Sequence, residues 1–377
     1  MELDRSSLRK LAEFSDDAGV LSVFVTIDPR EETRPNPPSR LRTRTALQRI
    51  LDEEKDKDRR KLLEARFREL APAIDRVLDP REPGLGRAFF APITTDNPAW
   101  NGGSDGQLIE LQLPLVDLVT VESTPYIRPL LEAAQVGAPV GLLAVSRDGV
   151  RQVDYRYGLA RELERLEIDV DSEPWREYKG PAPSHPQLGQ QMSTARDQFD
   201  HRREEHVLRS LLGLVPTVTA TADKLGWQLL LAAGEPRLVG ALIQELPSDG
   251  RKVIASQQIV DDKHTASVFA AAVDEELRAA RVERAFELSV RAKDAALGEG
   301  LGTLGLADTL DALQDGKVGH LLLASARDWR GARGDDGRLV PAAPESEADE
   351  PRLGERMIEL AIRFDAEVTM LPASVTE

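Results

Sequence analysis

The sequence predicts an α/β fold divided into three domains, and three observations carry that prediction. The chain has 377 residues, more than one typical domain holds. Short apolar, β-branched runs alternate along it with segments of helical periodicity. Two stretches read as junctions: "TPYIRPLLEAAQ" near residue 130, and a long helical pattern that begins near 265 and ends near Gly298. The expected division is residues 1–130, 131–275 and 276–377, with no internal repeat.

In the first segment, "LRKLAEF" reads as a short helix and "GVLSVFVTID" (Gly19–Asp28) as a strand. A proline-rich polar stretch follows. From Arg40 to about Leu78 the apolar residues recur at helical spacing, but the centre, "DEEKDKDRRK", is wholly charged and predicts a break or a helical hairpin. "RAFFAPI" and "QLIELQLP" are strands, with "NGGSDG" as the turn between them.

In the second segment, "PVGLLAVSRDGVRQVDYRYG" predicts two strands about an Arg-Asp-Gly turn, and "LERLEIDV" extends that sheet. Residues 171–194 have no apolar periodicity, and a loop of that length in a compact domain is usually functional. A charged helix, Ala195–Leu212, follows. Strand "GWQLLLAAG", helix "EPRLVGALIQEL" and strand "KVIASQQIV" then make a βαβ unit with parallel strands. Thr265 or Ser267 is placed to cap the long helix that leads into the third segment. There, helix "LADTLDALQDG", strand "KVGHLLLAS", helix "RLGERMIELAIRFD" and strand "AEVTML" alternate, interrupted by an acidic surface loop, "VPAAPESEADEP".

The totals exclude several function classes. Hydrophobic residues make up 41% and charged residues 30%, as in soluble globular proteins. No run approaches the roughly 20 apolar residues that span a bilayer. The start, "MELDRSSLRK", lacks the apolar core of a signal peptide, so a cytoplasmic location without membrane contact is expected. With no cysteine, disulfides, zinc ribbons, iron–sulfur clusters and thiol catalysis are out. A net charge of −16 argues against wholesale nucleic-acid binding, although a local basic patch on such a protein would bind with strong salt dependence.

Two motifs invite chemistry and do not sustain it. Gly300-Leu301-Gly302-Thr303-Leu304-Gly305 matches the dinucleotide fingerprint, but the glycines follow a helix, where the chemistry needs a strand. They read as a helix cap and linker. His201, Glu205 and His206 sit on one helix, yet the histidines are five apart and point in different directions, so no metal site is expected. No Gly-x-Ser-x-Gly elbow points to a serine hydrolase, and no cofactor is expected.

Two other features are candidates. Arg34, Arg40, Arg42, Arg44 and Arg49 lie on a stretch free of acids up to Asp52. Arg40 and Arg44 are one helical turn apart, and Arg42 and Arg49 two turns, so the face could follow an RNA backbone or simply be solvated. The second is the loop Gly180–Thr194, with Gly189-Gln190-Gln191 at its core and Ser193 or Thr194 placed to cap the next helix. Glycine permits close backbone approach there, and a glutamine can hold a water or a carbonyl. An ordinary surface loop is the alternative.

The order of elements resembles the bacterial members of the archaeo-eukaryotic peptide-chain release factor family, relatives of Pelota and of the hibernation factor Balon. "LSVFVTIDP" resembles the family's first strand. "TPYIRPLLEAAQVGAPVGLLAVSRDGVRQVDYRYG" resembles the approach to its middle domain. "GLGTLGLADTLDALQDGKVGHLLLA" and "RMIELAIRFDAEVTML" resemble elements of its third. The resemblance implies three α/β domains: a first that contacts the decoding region, an RNase H-like middle domain with a long protruding loop, and a third, a small α/β sandwich that binds partners. It implies a ribosome-binding factor that occupies the A site in hibernation, stress or rescue, with rRNA and tRNA as contacts and a translational GTPase as a further candidate partner.

The alternative activity is hydrolysis of peptidyl-tRNA on stalled ribosomes. True release factors carry Gly-Gly-Gln in that loop. Here Gly189, Gln190 and Gln191 take those places, so Gln191 would position the water and Gln190 replaces the second glycine. A side chain then stands where the motif has none, which favours occupancy over cleavage. Arg40, Arg42, Arg44 and Arg49, joined by Arg196, Arg202 and Arg203 on the helix after the loop, are the RNA-contacting candidates.

Overall fold

The computed structural model describes residues 5–28, 30, 37–168, 201, 203–247, 250–258, 264–298, 300–342 and 350–376. They form two compact units. The first joins Met1–Gly137 to Arg281–Glu377, and the second is Ala138–Ala280. The junctions lie at 137/138 and 280/281, and the two ends of the chain share one unit.

The N-terminal segment opens with helix α1 (Arg5–Glu13). Strand β1 (Val20–Thr26) follows, then helices α2 (Pro38–Glu53) and α3 (Lys57–Val77) and strands β2 (Gly86–Pro92), β3 (Gln107–Leu111) and β4 (Leu118–Glu122). The four strands make one antiparallel sheet in the order β3-β2-β1-β4. β1 is central and apolar almost throughout, as a strand covered on both faces must be. Leu21, Val23 and Val25 pack with Leu63, Phe67, Leu70 and Ile74 of α3. The alternate residue Phe24 meets Phe90 and Tyr126 edge-on at 5.6 and 6.5 Å.

The charged break lies where expected. Asp56 caps α3 by accepting from the Asp58 and Arg59 amides at 2.8 and 3.2 Å. α2 and α3 form a hairpin, because residues near the start of α2 meet Asp75 near the end of α3. Arg87 of β2 has its guanidinium ringed by carbonyls of Val77, Asp79, Glu82, Pro83 and Gly84. That one buried cation closes the C-terminal end of α3. Helix α4 (Arg128–Val136) ends the segment.

The second unit is built on β5 (Val140–Ser146), β6 (Gly149–Arg156), β7 (Leu159–Glu162) and β8 (Leu166–Glu167). Helical residues 203–212 (α5), α6 (Val215–Leu225), β9 (Leu229–Gly234), α7 (Pro236–Glu245), β10 (Lys252–Ala255) and α8 (Ala266–Ala272) follow. The sheet runs β10-β9-β5-β6-β7, with β8 on β6. β5, β6 and β7 form an antiparallel meander; β9 and β10 run parallel to β5. One face buries Leu143, Val145, Leu230 and Ala232 under α5, α6 and α7. The other buries Leu142, Ala144, Leu229 and Leu231 under Phe269, Val273 and Leu277. Gly141 has a steric reason: a Cβ there would lie 2.2 Å from the Trp227 ring, whose Nε1 donates to Asp154 at 2.7 Å.

Thr265 caps α8, as predicted. The long helix is interrupted at buried Val273, and α9 (Asp274–Leu297) restarts with Asp274, Glu275 and Glu276, acids that suit a helix N-terminus. The C-terminal segment continues with α10 (Leu306–Gln314), β11 (His320–Ala324), the hairpin β12 (Gly331–Arg333) and β13 (Leu339–Pro341), α11 (Leu353–Arg363), β14 (Glu367–Leu371) and α12 (Ala373–Thr376). β11 and β14 are parallel. The side-chain amide of Gln135 in α4 bonds both the N–H and the C=O of Met370 at 2.9 Å, so α4 docks on β14.

Candidate functional site

Residues 169–200, which include Gly189, Gln190, Gln191 and Arg196, lie outside the described residues, as does Arg202. What is described is the frame from which that stretch departs and to which it returns. On one side Ile168 is buried, and its amide donates to the Asp148 carbonyl at 2.9 Å. On the other, Val207 and Leu211 of α5 are buried. All three belong to the same apolar cluster under the sheet. Arg203 is exposed, and its neighbour Glu204 pairs with Arg237 of α7. Both flanks of the segment carrying Gly189-Gln190-Gln191 are therefore anchored in one packed core.

The arginines of α2 do not stand alone. Arg40 and Arg44 lie 3.7 and 3.5 Å from Asp75, Arg42 lies 2.7 Å from Asp117, and Arg49 lies 4.0 Å from Glu53. The stretch is free of acids in sequence, but folding brings carboxylates to it from α3 and from the segment before β4. Arg42, Arg44 and Arg49 remain more than half exposed, so a phosphate could displace these carboxylates. Exposed pairs of this kind contribute about 0–1 kcal/mol each and exchange readily.

The other motifs resolve simply. The Gly298 and Gly300 amides bond back to the Asp294 and Ala295 carbonyls, and Gly305 (φ 91°) precedes α10, so the glycines link two helices. His201 lies 3.3 Å from Glu205. Among the described residues no group of three or more histidines, aspartates or glutamates is placed to hold a metal ion.

The most unusual chemistry is in the first unit, at a place that no motif in the sequence marks. Thr124-Pro125-Tyr126-Ile127-Arg128, read from the sequence as part of a junction, is a strap against α11. The Ile127 amide donates to Glu355 Oε1 at 2.5 Å, and the Thr124 hydroxyl donates to Glu359. Arg356 Nη1 reaches Thr124 Oγ1 at 2.6 Å and Glu359 at 2.8 Å. The Tyr126 amide donates to Ser22 Oγ of β1 at 3.0 Å, and the Arg128 guanidinium takes the carbonyls of Ala324, Ser325 and Arg327. Burial raises the Glu355 carboxyl from its ordinary 4.5 to about 8, and burial also raises Glu359. Tyr126 is pushed up to about 12, first by burial and then by Glu355. The sequence signal was weak: Glu355 and Glu359, four apart among apolar residues, look like one solvated helical face.

The meander followed by two parallel strands, with helices on both faces, places the second unit in the RNase H-like class of α/β domains. The resemblance read from the sequence holds for this unit: residues 139–272 match the family described as bacterial archaeo-eukaryotic release factor family 5. No curated protein matches the chain. Among solved structures, ribosome-bound archaeal Pelota, in a complex with ABCE1, is 12% identical, covering 99% of this chain and 90% of its own at a TM-score of 0.38. Archaeoglobus fulgidus Pelota is 10% identical, covering 98% and 86% at 0.32. The archaeal termination factor aRF1 is 18% identical, covering 99% and 93% at 0.22. At such low TM-scores these likenesses add nothing to the assignment. Among the described residues no helix is long and apolar enough to cross a membrane.

Proposed function

We propose that this protein is a cytoplasmic translation factor that binds the ribosome and occupies its A site in hibernation, stress or rescue. The observation that carries the reading is the family match over residues 139–272, which spans the unit bearing the segment with Gly189-Gln190-Gln191. A stretch anchored at both ends in one core suits a probe of a deep, RNA-lined cavity. The exposed arginines of α2, with Arg196, Arg202 and Arg203 after the loop, supply phosphate contacts, and rRNA and tRNA are the partners. A translational GTPase is the candidate protein partner. Gln190 adds a side chain where the release motif has glycine, which favours occupancy over ester hydrolysis.

The test combines pelleting with ribosomes and peptide release from ribosomes carrying peptidyl-tRNA, scored in the same samples. Binding without release is the expected result. Release that disappears in Gln191→Ala would replace occupancy with hydrolysis, and no cosedimentation at low salt would end the ribosomal reading altogether.

A further inference from the structure

Glu355 is an odd group to bury. It is 1% exposed, its Oε1 accepts from the Ile127 amide, and its Oε2 has no hydrogen-bond partner among the described residues. An ionised carboxylate so placed needs a counter-charge, and among the described residues no cation forms an ion pair with it, although Arg356 and Arg128 favour its charged form from a distance. On α11, Arg356 binds Glu359 and Thr124 through Nη1, while its buried Nε has no hydrogen-bond partner among the described residues and lies 3.8 Å from Glu350. On the strap, Arg128 is spent on three carbonyls, with Glu132 at 3.5 Å and Asp328 at 3.9 Å. Before α11, Arg352 pairs with Glu122 at 3.3 Å and stacks over the Tyr126 ring at 4.9 Å. The acid that acts on Glu355 is Glu359, itself under the influence of Arg363, and the titratable Tyr126 of the strap also feels Glu355.

We propose that the strap Thr124–Arg128 and α11 form a proton-gated latch that ties the N-terminal sheet to the C-terminal segment: Glu355 holds a proton while the strap is docked and loses it when the strap lifts. Docked, the carboxyl is neutral and its carbonyl oxygen accepts from Ile127. Lifting the strap exposes the carboxyl to water, where it ionises. Opening therefore releases a proton and becomes easier as pH rises. The strap reaches the central strand through Tyr126 and Ser22, and β11 through the carbonyls held by Arg128, so lifting it loosens both. The latch is independent of the ribosomal reading.

Amide hydrogen exchange on the full chain tests this. The Ile127 protection factor, corrected for the intrinsic pH dependence of exchange, should fall by roughly tenfold per pH unit between pH 6 and about 8, then level off. Glu355→Gln keeps the carbonyl acceptor and cannot ionise, so it should lose most of that slope. Equal slopes in the two proteins would overturn the latch. If the variant does not fold, the wild-type chain still decides. The 13C shift of the Glu355 carboxyl should titrate near 8, and titration in the ordinary carboxylate range would refute the proposal.

Discussion

The two units bury their central strands by different means. In the second, β5 and β9 lie between two apolar layers, with Leu143, Val145 and Leu230 on one side and Leu142, Leu229 and Leu231 on the other. In the first, α3 covers one face of β1 with an apolar layer, but the junction with the C-terminal segment runs through Thr124, Arg128, Glu355, Arg356 and Glu359. Apolar burial is non-directional and almost indifferent to pH, whereas a buried charge network is directional and titrates. An apolar layer and a buried charge network should therefore answer differently to pH.

The largest break in that contrast should come from Arg356→Met. It leaves Glu359 buried without its cation and should cost about 3–5 kcal/mol in denaturant unfolding. The loss should deepen as pH rises, because Glu359 must then be buried as a charge without its ion-pair partner. Leu231→Ala should cost about 2–5 kcal/mol by opening a cavity in the second unit, with no change in that penalty between about pH 6 and 9. A penalty in Leu231→Ala that moved with pH as strongly as that of Arg356→Met would erase the distinction.

Gly141→Ala should cost about 1–3 kcal/mol, since the added methyl collides with the Trp227 ring. Quenched or shifted Trp227 fluorescence would show that the ring has moved. The smallest effect on stability, within about 1 kcal/mol, is expected from Asp75→Asn, because Asp75 is an exposed partner of Arg40 and Arg44. Its effect on ribosome pelleting should be larger: freeing two arginines should raise binding at low salt and steepen its salt dependence. An unchanged salt profile would remove α2 from the RNA contact.

Much of the fold was legible along the chain because its signals are local. The charged run at 52–61 broke one apolar pattern into α2 and α3, the Arg-Asp-Gly turn set the β5–β6 hairpin, and the strand–helix–strand alternation set the parallel pair β9 and β10. The β6–β7 hairpin escaped notice because its turn puts Tyr157 at φ 50°, where glycine or asparagine is usual. The β12–β13 hairpin was too short to show a period. At the candidate site, the spacing of the α2 arginines was readable but their carboxylate partners were not.

The sequence by itself determined the α/β class, the element order and the resemblance of the middle segment to release factors. These rest on period, turn chemistry and local motif, which act over a few residues. Only the tertiary structure decided that the two ends of the chain share one unit, that Asp75 and Asp117 meet the arginines of α2, and that Glu355 is buried beneath the strap. Each depends on contacts between residues tens to hundreds of positions apart, and no local pattern encodes the loss of water that gives a buried charge its energy.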